Sequence, residues 1–330
     1  MSSSTVDASL VSSLNNISFQ LNRYLAFPIF LFGIIGNILN VLVLSQRPLR
    51  SNPCSFLFLT SSIFYFMSLC AGVFPRFLAT WNADLGNTNQ FICKLRIYIY
   101  FNTLTIAFWL IALATLDRWC CSSINVNYRL RSTLKNAQRS IILLVIISSL
   151  LQIQQIFCYE ANLTYTPLKC YSKTVTCGIL SDLSFALITV LIPLLLMFIF
   201  GRMIILNVRR SQSRLYVESI GISNSGGILN PVFVNVTQLN RQRKTDRRLL
   251  YMLFVQVILI LVLTLPFAIS KLYSTLTRDI LKSTLQITVE SFIFNLLLLF
   301  LNVASGMPFY IYTLTGGKVF RKALLNLFHK

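Results

Sequence analysis

Seven stretches of the chain are largely apolar and free of charge: Tyr24–Gln46, Ser51–Pro75, Ile97–Leu116, Ser140–Tyr159, Leu183–Gly201, Leu249–Ser270 and Ser291–Gly317. A helix crosses the hydrocarbon of a bilayer with about 20 such residues, so each is predicted to span a membrane. An eighth uncharged stretch, Ser219–Asn240, is rich in Gly, Ser, Asn, Thr and Gln and is read as part of a polar loop over 209–248. Its polar groups would be costly to place in lipid. Beyond the seventh stretch, Val319, Phe320, Ala323, Leu324, Leu327 and Phe328 recur at helical spacing opposite a basic face. This pattern predicts a short amphipathic helix in the membrane interface. The predicted class is an all-α membrane protein. It has an outer tail over 1–23, a seven-helix bundle over 24–317 and an interface helix with a short tail over 318–330.

Charge orients the bundle. The 330 residues include 29 Lys and Arg against 9 Asp and Glu, for a formal charge of +20, yet only 12% of residues are charged and 55% are hydrophobic. A soluble domain carries about 25% charged residues, so the basic excess does not mark a nucleic-acid binder, which would need a well-charged surface. With the N-terminus outside, the inner loops hold 20 of the 29 basic residues and three of the nine acids. Nine basic residues and six acids are left outside, so the inner side is +17 and the outer side +3. Basic residues gather on the cytoplasmic side of membrane proteins, which puts the N-terminus outside and the C-terminus inside. The N-terminal residues lack the basic start and apolar core of a cleaved signal peptide. Sequons at Asn16 and Asn162 fall on the outer side, where glycosylation occurs; one at Asn235 falls inside.

Few residues here could carry catalysis. The one His is His329, no C-x-x-C pair occurs, and neither a metal nor another cofactor is expected. One constellation stands out in the third stretch. Asp117-Arg118-Trp119 closes its inner end, and Cys93 lies 25 residues before Arg118. At about 1.5 Å per residue this separation is about 37 Å, one membrane thickness. Cys93 therefore sits on the oxidising side, where a disulfide can tie the helix tip to an outer loop.

Seven spans, an outer N-terminus, Cys93, Asp117-Arg118-Trp119 and the interface helix together resemble a rhodopsin-like (class A) G-protein-coupled receptor. Gly36-Asn37, Pro193, Pro266, the segment Pro308-Phe309-Tyr310-Ile311-Tyr312 and Phe320-Arg321 match further family positions in order. Departures are visible too. The second helix lacks the family's acid, Thr264 replaces the sixth-helix Trp, and Met307 replaces the Asn before Pro308. The family's Tyr falls at Tyr310 or Tyr312. Asn295, Asn302 and Ser305 are candidates for polar contacts inside the bundle. The resemblance implies that Arg118 pairs with Asp117 and with Asp246 at the start of the sixth helix. It also implies that release of this lock opens a cavity for a heterotrimeric G protein, with arrestin as a further partner. A disulfide from Cys93 to the second outer loop is implied as well, to Cys170 by family spacing with Cys177 as the runner-up.

The same resemblance narrows the ligand. Amine receptors place an Asp eighteen residues before the Arg, where this chain has Tyr100. Opsins hold retinal on a seventh-helix Lys, and none occurs between Lys282 and Lys318. The candidate pocket comprises Tyr100, Phe267, Lys271, Glu290 and Phe294, with Arg76, Arg96, Asp182, Tyr98 and Tyr273 at the mouth. Both charge signs together with aromatic rings suit a short peptide; a small chemosensory molecule is the alternative. A transporter or channel would carry charges deep in its spans, and these spans carry none.

Overall fold

The computed structural model describes residues 2–81, 84–123, 125–163, 166–223, 232–315 and 317–328, with some side chains at the ends of these segments left out. Among the described residues, seven helices are long and apolar enough to cross a membrane. The first is Ser2–Leu44. The second is Pro53–Gly72, continued by Phe74–Ala79 across a break at Val73. The third is Gln90–Ser122. The fourth is Leu134–Gln152, continued by Gln154–Cys158. The fifth begins at Val175–Leu183, passes through a π-helical stretch Ser184–Leu191 and continues as Ile192–Ser223. The sixth is Val232–Leu276, with Pro266 inside it. The seventh is Thr284–Gly306, followed by Pro308–Thr315 and the short amphipathic helix Gly317–Phe328.

Polar residues just outside the apolar runs start these helices. The side chains of Asn52, Asn89, Thr133, Thr174 and Ser283 each accept a backbone N–H of the first turn. This satisfies donors that a helix start leaves without partners. Two expectations are revised. Helix begins at Ser2, so the outer tail over residues 2–23 is a helical extension of the first helix beyond its predicted span. The loop expected over 209–248 is helical up to Ser223 and again from Val232.

The third helix is the centre of the bundle. From Tyr100 to Ala112 its residues are buried, Trp109 partly so. A helix buried on all faces belongs to the interior. The fourth helix is the opposite case. Ala137, Ser148 and Gln152 are buried, while Ile142, Leu143, Ile146, Ile147 and Leu150 face outward. In water such an apolar face would be a liability, but here it meets lipid tails.

Polar side chains inside the bundle bridge helices. Asn102 donates to Ser149 at 3.1 Å and accepts from Ser148 at 2.7 Å, and Gln152 donates to Thr105 at 2.9 Å. Thr105 also bonds Thr189 of the π-helical stretch at 2.7 Å, and the Trp109 indole donates to the Ile188 carbonyl at 2.9 Å. A π-helical stretch departs from the usual i→i−4 pattern, and its carbonyl here meets a side-chain donor. On the other side of the third helix, Asn37 donates to the Gly33 carbonyl at 2.9 Å and to the Ser305 carbonyl at 3.1 Å. That second bond crosses from the first helix to the seventh.

The first and seventh helices touch at backbone distance where Gly33 meets Gly306. A Cβ on Gly306 would lie 3.0 Å from the Gly33 Cα, which is backbone and cannot turn aside. Gly306→Leu is therefore expected to force the helices apart and lower stability by about 1–3 kcal/mol. Thermal unfolding of the purified protein in detergent measures this as a fall in midpoint.

Candidate functional site

At the outer end, a two-stranded hairpin lies between the fourth and fifth helices. Tyr159–Glu160 pairs antiparallel with Tyr171–Ser172. Two disulfides hold it, one immediately before each strand. Cys170 is bonded to Cys93 at the start of the third helix, and Cys158 to Cys177 at the start of the fifth. Cys177, the runner-up partner for Cys93, thus belongs to a separate bridge. The second bridge escaped the sequence reading because Cys158 falls inside the predicted fourth span. A signal was there: four cysteines cluster at the outer ends, an even number that allows two bridges.

Beneath the hairpin the pocket candidates separate. Lys271 Nζ lies 2.5 Å from Asp182 Oδ1, each side chain 2% exposed. Lys271 also donates to Ser181 Oγ at 2.9 Å and sits 4.8 Å from the centroid of the Phe101 ring. Thr275 donates to the second Asp182 oxygen, and Ser181 donates to Gln155 at 3.1 Å. Around this pair Phe101, Phe185, Phe267, Phe294 and Tyr171 form a run of ring contacts with centroids 5.3–6.0 Å apart. Phe267, Lys271 and Phe294, read as a ligand pocket, are each no more than 2% exposed and belong to this cluster. Opposite charges on facing helices neutralise each other, because neither tolerates low dielectric alone. Glu290 is engaged at the rim with Lys282, with Gln286 at 3.1 Å and with Tyr273 at 3.2 Å.

Open space lies to one side. A cavity of about 320 Å³ is bounded by the first, second, third and seventh helices. Of the five pocket candidates it takes in Tyr100, together with Arg76 and Arg96 from the expected mouth. The Tyr100 hydroxyl donates to Asn302 at 3.3 Å in the bundle below. Arg96 grips Asp84 at 2.9 Å, and Asp84 also accepts the Gly86 N–H at 2.9 Å. Asn295 accepts from Arg76 at 3.2 Å. Sequence reasoning missed Asn22 of the first helix, which lines the cavity too, because its segment had been read as a tail.

At the inner end, Arg118 and Asp117 are about nine-tenths buried, with Arg118 Nη2 3.9 Å from Asp117 Oδ2. Ser132 donates to the other Asp117 oxygen at 2.5 Å. Arg118 also donates to the Asn52 side-chain oxygen, the same atom that caps the second helix. A helix N-terminus repels a cation, and the Asn52 oxygen screens the two from each other. Trp119 packs on Tyr128 and Phe200 with centroids 5.1 and 5.4 Å away. Asp246 lies on the sixth helix, but its side chain is outside the described residues, as is the Asn235 side chain. Tyr312 points inward, its hydroxyl donating to Gln256 at 3.0 Å and its ring against Phe58 and Phe320. Tyr310 points outward and donates to the Phe32 carbonyl at 3.0 Å. The direction of each hydroxyl distinguishes the two tyrosines. Pro308 starts a new helical segment after the break at Met307.

The model of the seven-transmembrane receptor family of the rhodopsin type matches residues 36–307. The chain belongs to the rhodopsin family of seven-transmembrane receptors. The receptor is therefore a multi-pass membrane protein, and its family consists of receptors, not enzymes. The crystal structure of squid rhodopsin shares its fold with a TM-score of 0.75, at 17% identity, over 98% of this chain and 86% of that one. No curated protein matches the receptor in sequence.

The buried ion pair gives a direct test. Lys271→Met should leave Asp182 buried and unpaired, costing about 3–5 kcal/mol. Adding Asp182→Leu removes the stranded charge and should recover most of the loss, read as unfolding midpoints of the two variants. Cys158→Ser is expected to lower surface delivery of an N-terminally tagged receptor by releasing one anchor of the hairpin; flow cytometry on intact cells measures it.

Proposed function

We propose that the receptor binds a short extracellular peptide at its outer cavity and activates a heterotrimeric G protein at its inner face. The observation that supports this is the third helix. One unbroken rod, Gln90–Ser122, borders the cavity with Arg96, Ile97 and Tyr100 and carries Asp117 and Arg118 at its other end. A cavity of this volume holds the end of a peptide, and its wall offers both charge signs beside aromatic surface. Arg118, held by Asp117 and Asn52, is the group that a transducer must release. The acid of the sixth helix, Asp246, is a further partner for it. An agonist drives release only in so far as it binds the open state better than the closed one. Pro266, Pro308 and Tyr312 sit where the sixth and seventh helices would move against each other. Arrestin would engage the same inner face, with serines such as Ser211 and Ser213 as phosphate carriers. Asn16 and Asn162, both exposed, carry the outer glycans. Residues 1–23 are outside the membrane and 318–330 inside the cell.

The test is a screen in cells carrying a promiscuous G protein, starting from a neuropeptide library with small odorant-like molecules as the second arm. A peptide hit supports the reading, whereas a hit confined to the second arm replaces the peptide with a chemosensory ligand. With an agonist in hand, Arg118→Ala should abolish G-protein activation while surface delivery and ligand binding persist. Full signalling from that variant would remove Arg118 from its role.

A further inference from the structure

Arg76 stands apart from the other outer charges. It lies on the last turns of the second helix, in the wall of the 320 Å³ cavity. Its Nη1 donates to Asn22 of the first helix at 3.3 Å and to Asn295 of the seventh at 3.2 Å. Both acceptors are neutral amides. Its Nη2 is shielded from water and has no hydrogen-bond partner. A buried donor without an acceptor costs about 1–3 kcal/mol, and more when charged. The neighbouring charges do not relieve it. Among the described residues lining the cavity the charged ones are Arg76, Arg96 and Asp84, and Arg96 already neutralises Asp84 at 2.9 Å. Arg23 of the first helix stacks on the Trp81 ring at 4.7 Å and adds no negative charge. The cavity therefore carries one uncompensated positive charge. The rest of its wall is largely apolar, with Phe19, Ala71, Ile97 and Leu298 among the lining residues.

We propose that Arg76 is the anion subsite of this cavity and takes a carboxylate attached to an apolar body. This rests on the reading of the cavity as the ligand site and names the chemistry of what enters it. A guanidinium presents parallel N–H groups that match the two oxygens of a carboxylate. A small turn of the side chain offers Nη2 to one oxygen, while the Asn295 and Asn22 NH₂ groups, which donate to the Ser291 and Ser18 carbonyls at 2.8 and 3.0 Å, each keep a second hydrogen that can serve the other. Two sources share this chemistry: the free C-terminus of a peptide, and a small aryl or alkyl acid.

The experiment uses the full chain in lipid nanodiscs and reads its thermal midpoint, which reports binding without signalling. One arm compares 4-phenylbutyrate with 4-phenylbutyramide, which differ in charge but hardly in shape. A second arm compares one pool of short peptides ending in Phe or Leu as free acids and as amides. Stabilisation by the acids and not the amides is expected, with the effective arm naming the source. Arg76→Gln should weaken the acid's effect about ten- to hundredfold, the value of one charge-assisted bond, and Arg76→Lys should keep part of it. Asn295→Asp provides a variant that folds without an external anion. Its carboxylate would fill the subsite from within, raising the midpoint of the unliganded receptor and abolishing the response to acids. Equal responses to acid and amide, no response to any acid at millimolar concentration, or a full response from Asn295→Asp would each overturn the proposal. Acids that bind without activating a G protein would leave the subsite standing and count against the signalling role. Amidated peptides that signal through Arg76→Gln would do the reverse.

Discussion

No water reaches the hydrocarbon core of a bilayer, so every polar group placed there must find its partner within the protein. That constraint accounts for the helices themselves, whose backbone bonds close within each segment. It also accounts for how the few polar side chains are used. Asn37, Asn102, Gln152 and Thr105 each reach across to another helix. Lys271 and Asp182 are tolerated because they meet each other. The apolar surface provides little drive for helix association, since lipid tails are as apolar as Leu. Close backbone approach at Gly33 and Gly306 and the polar bridges therefore set which helices touch and in what register.

The third helix collects most of these bridges. It bonds the fourth through Asn102, the fifth through Thr105 and Trp109, and the seventh through Tyr100. Its outer tip is fastened by Cys93 to the hairpin, and its inner tip by Arg118 to the cap of the second helix. A displacement at one end has few ways to dissipate before the other. The fifth helix differs: its π-helical stretch faces the third helix beside the aromatic cluster, a place where a register change could be accommodated.

Much of this architecture was legible in the chain. Seven uncharged runs have the length a bilayer demands, and the skew of Lys and Arg orients them. Cys93 and Arg118 were recognisable because one helix of fixed rise separates them by a membrane thickness. The pocket was less legible. Phe267, Lys271 and Phe294 look like a binding surface in sequence, since aromatic and charged residues at the outer ends of helices serve ligands and packing equally well. The meeting of Lys271 with Asp182, on helices distant in sequence, is not visible along the chain. Arg76 and Asn295 lie 219 residues apart, and neither signals the other along the chain.

What the sequence by itself determined is the set of helices, their number, their orientation and the positions of the oxidised and cytosolic ends. Those properties follow from local quantities: length, hydropathy and charge. The tertiary structure alone decided that Cys158 pairs with Cys177, which of Tyr310 and Tyr312 faces the interior, and where the outer cavity lies. Those depend on which helix faces which. In lipid that choice is made by sparse polar bonds and glycine contacts between distant residues, and no period or composition along one strand of sequence encodes them.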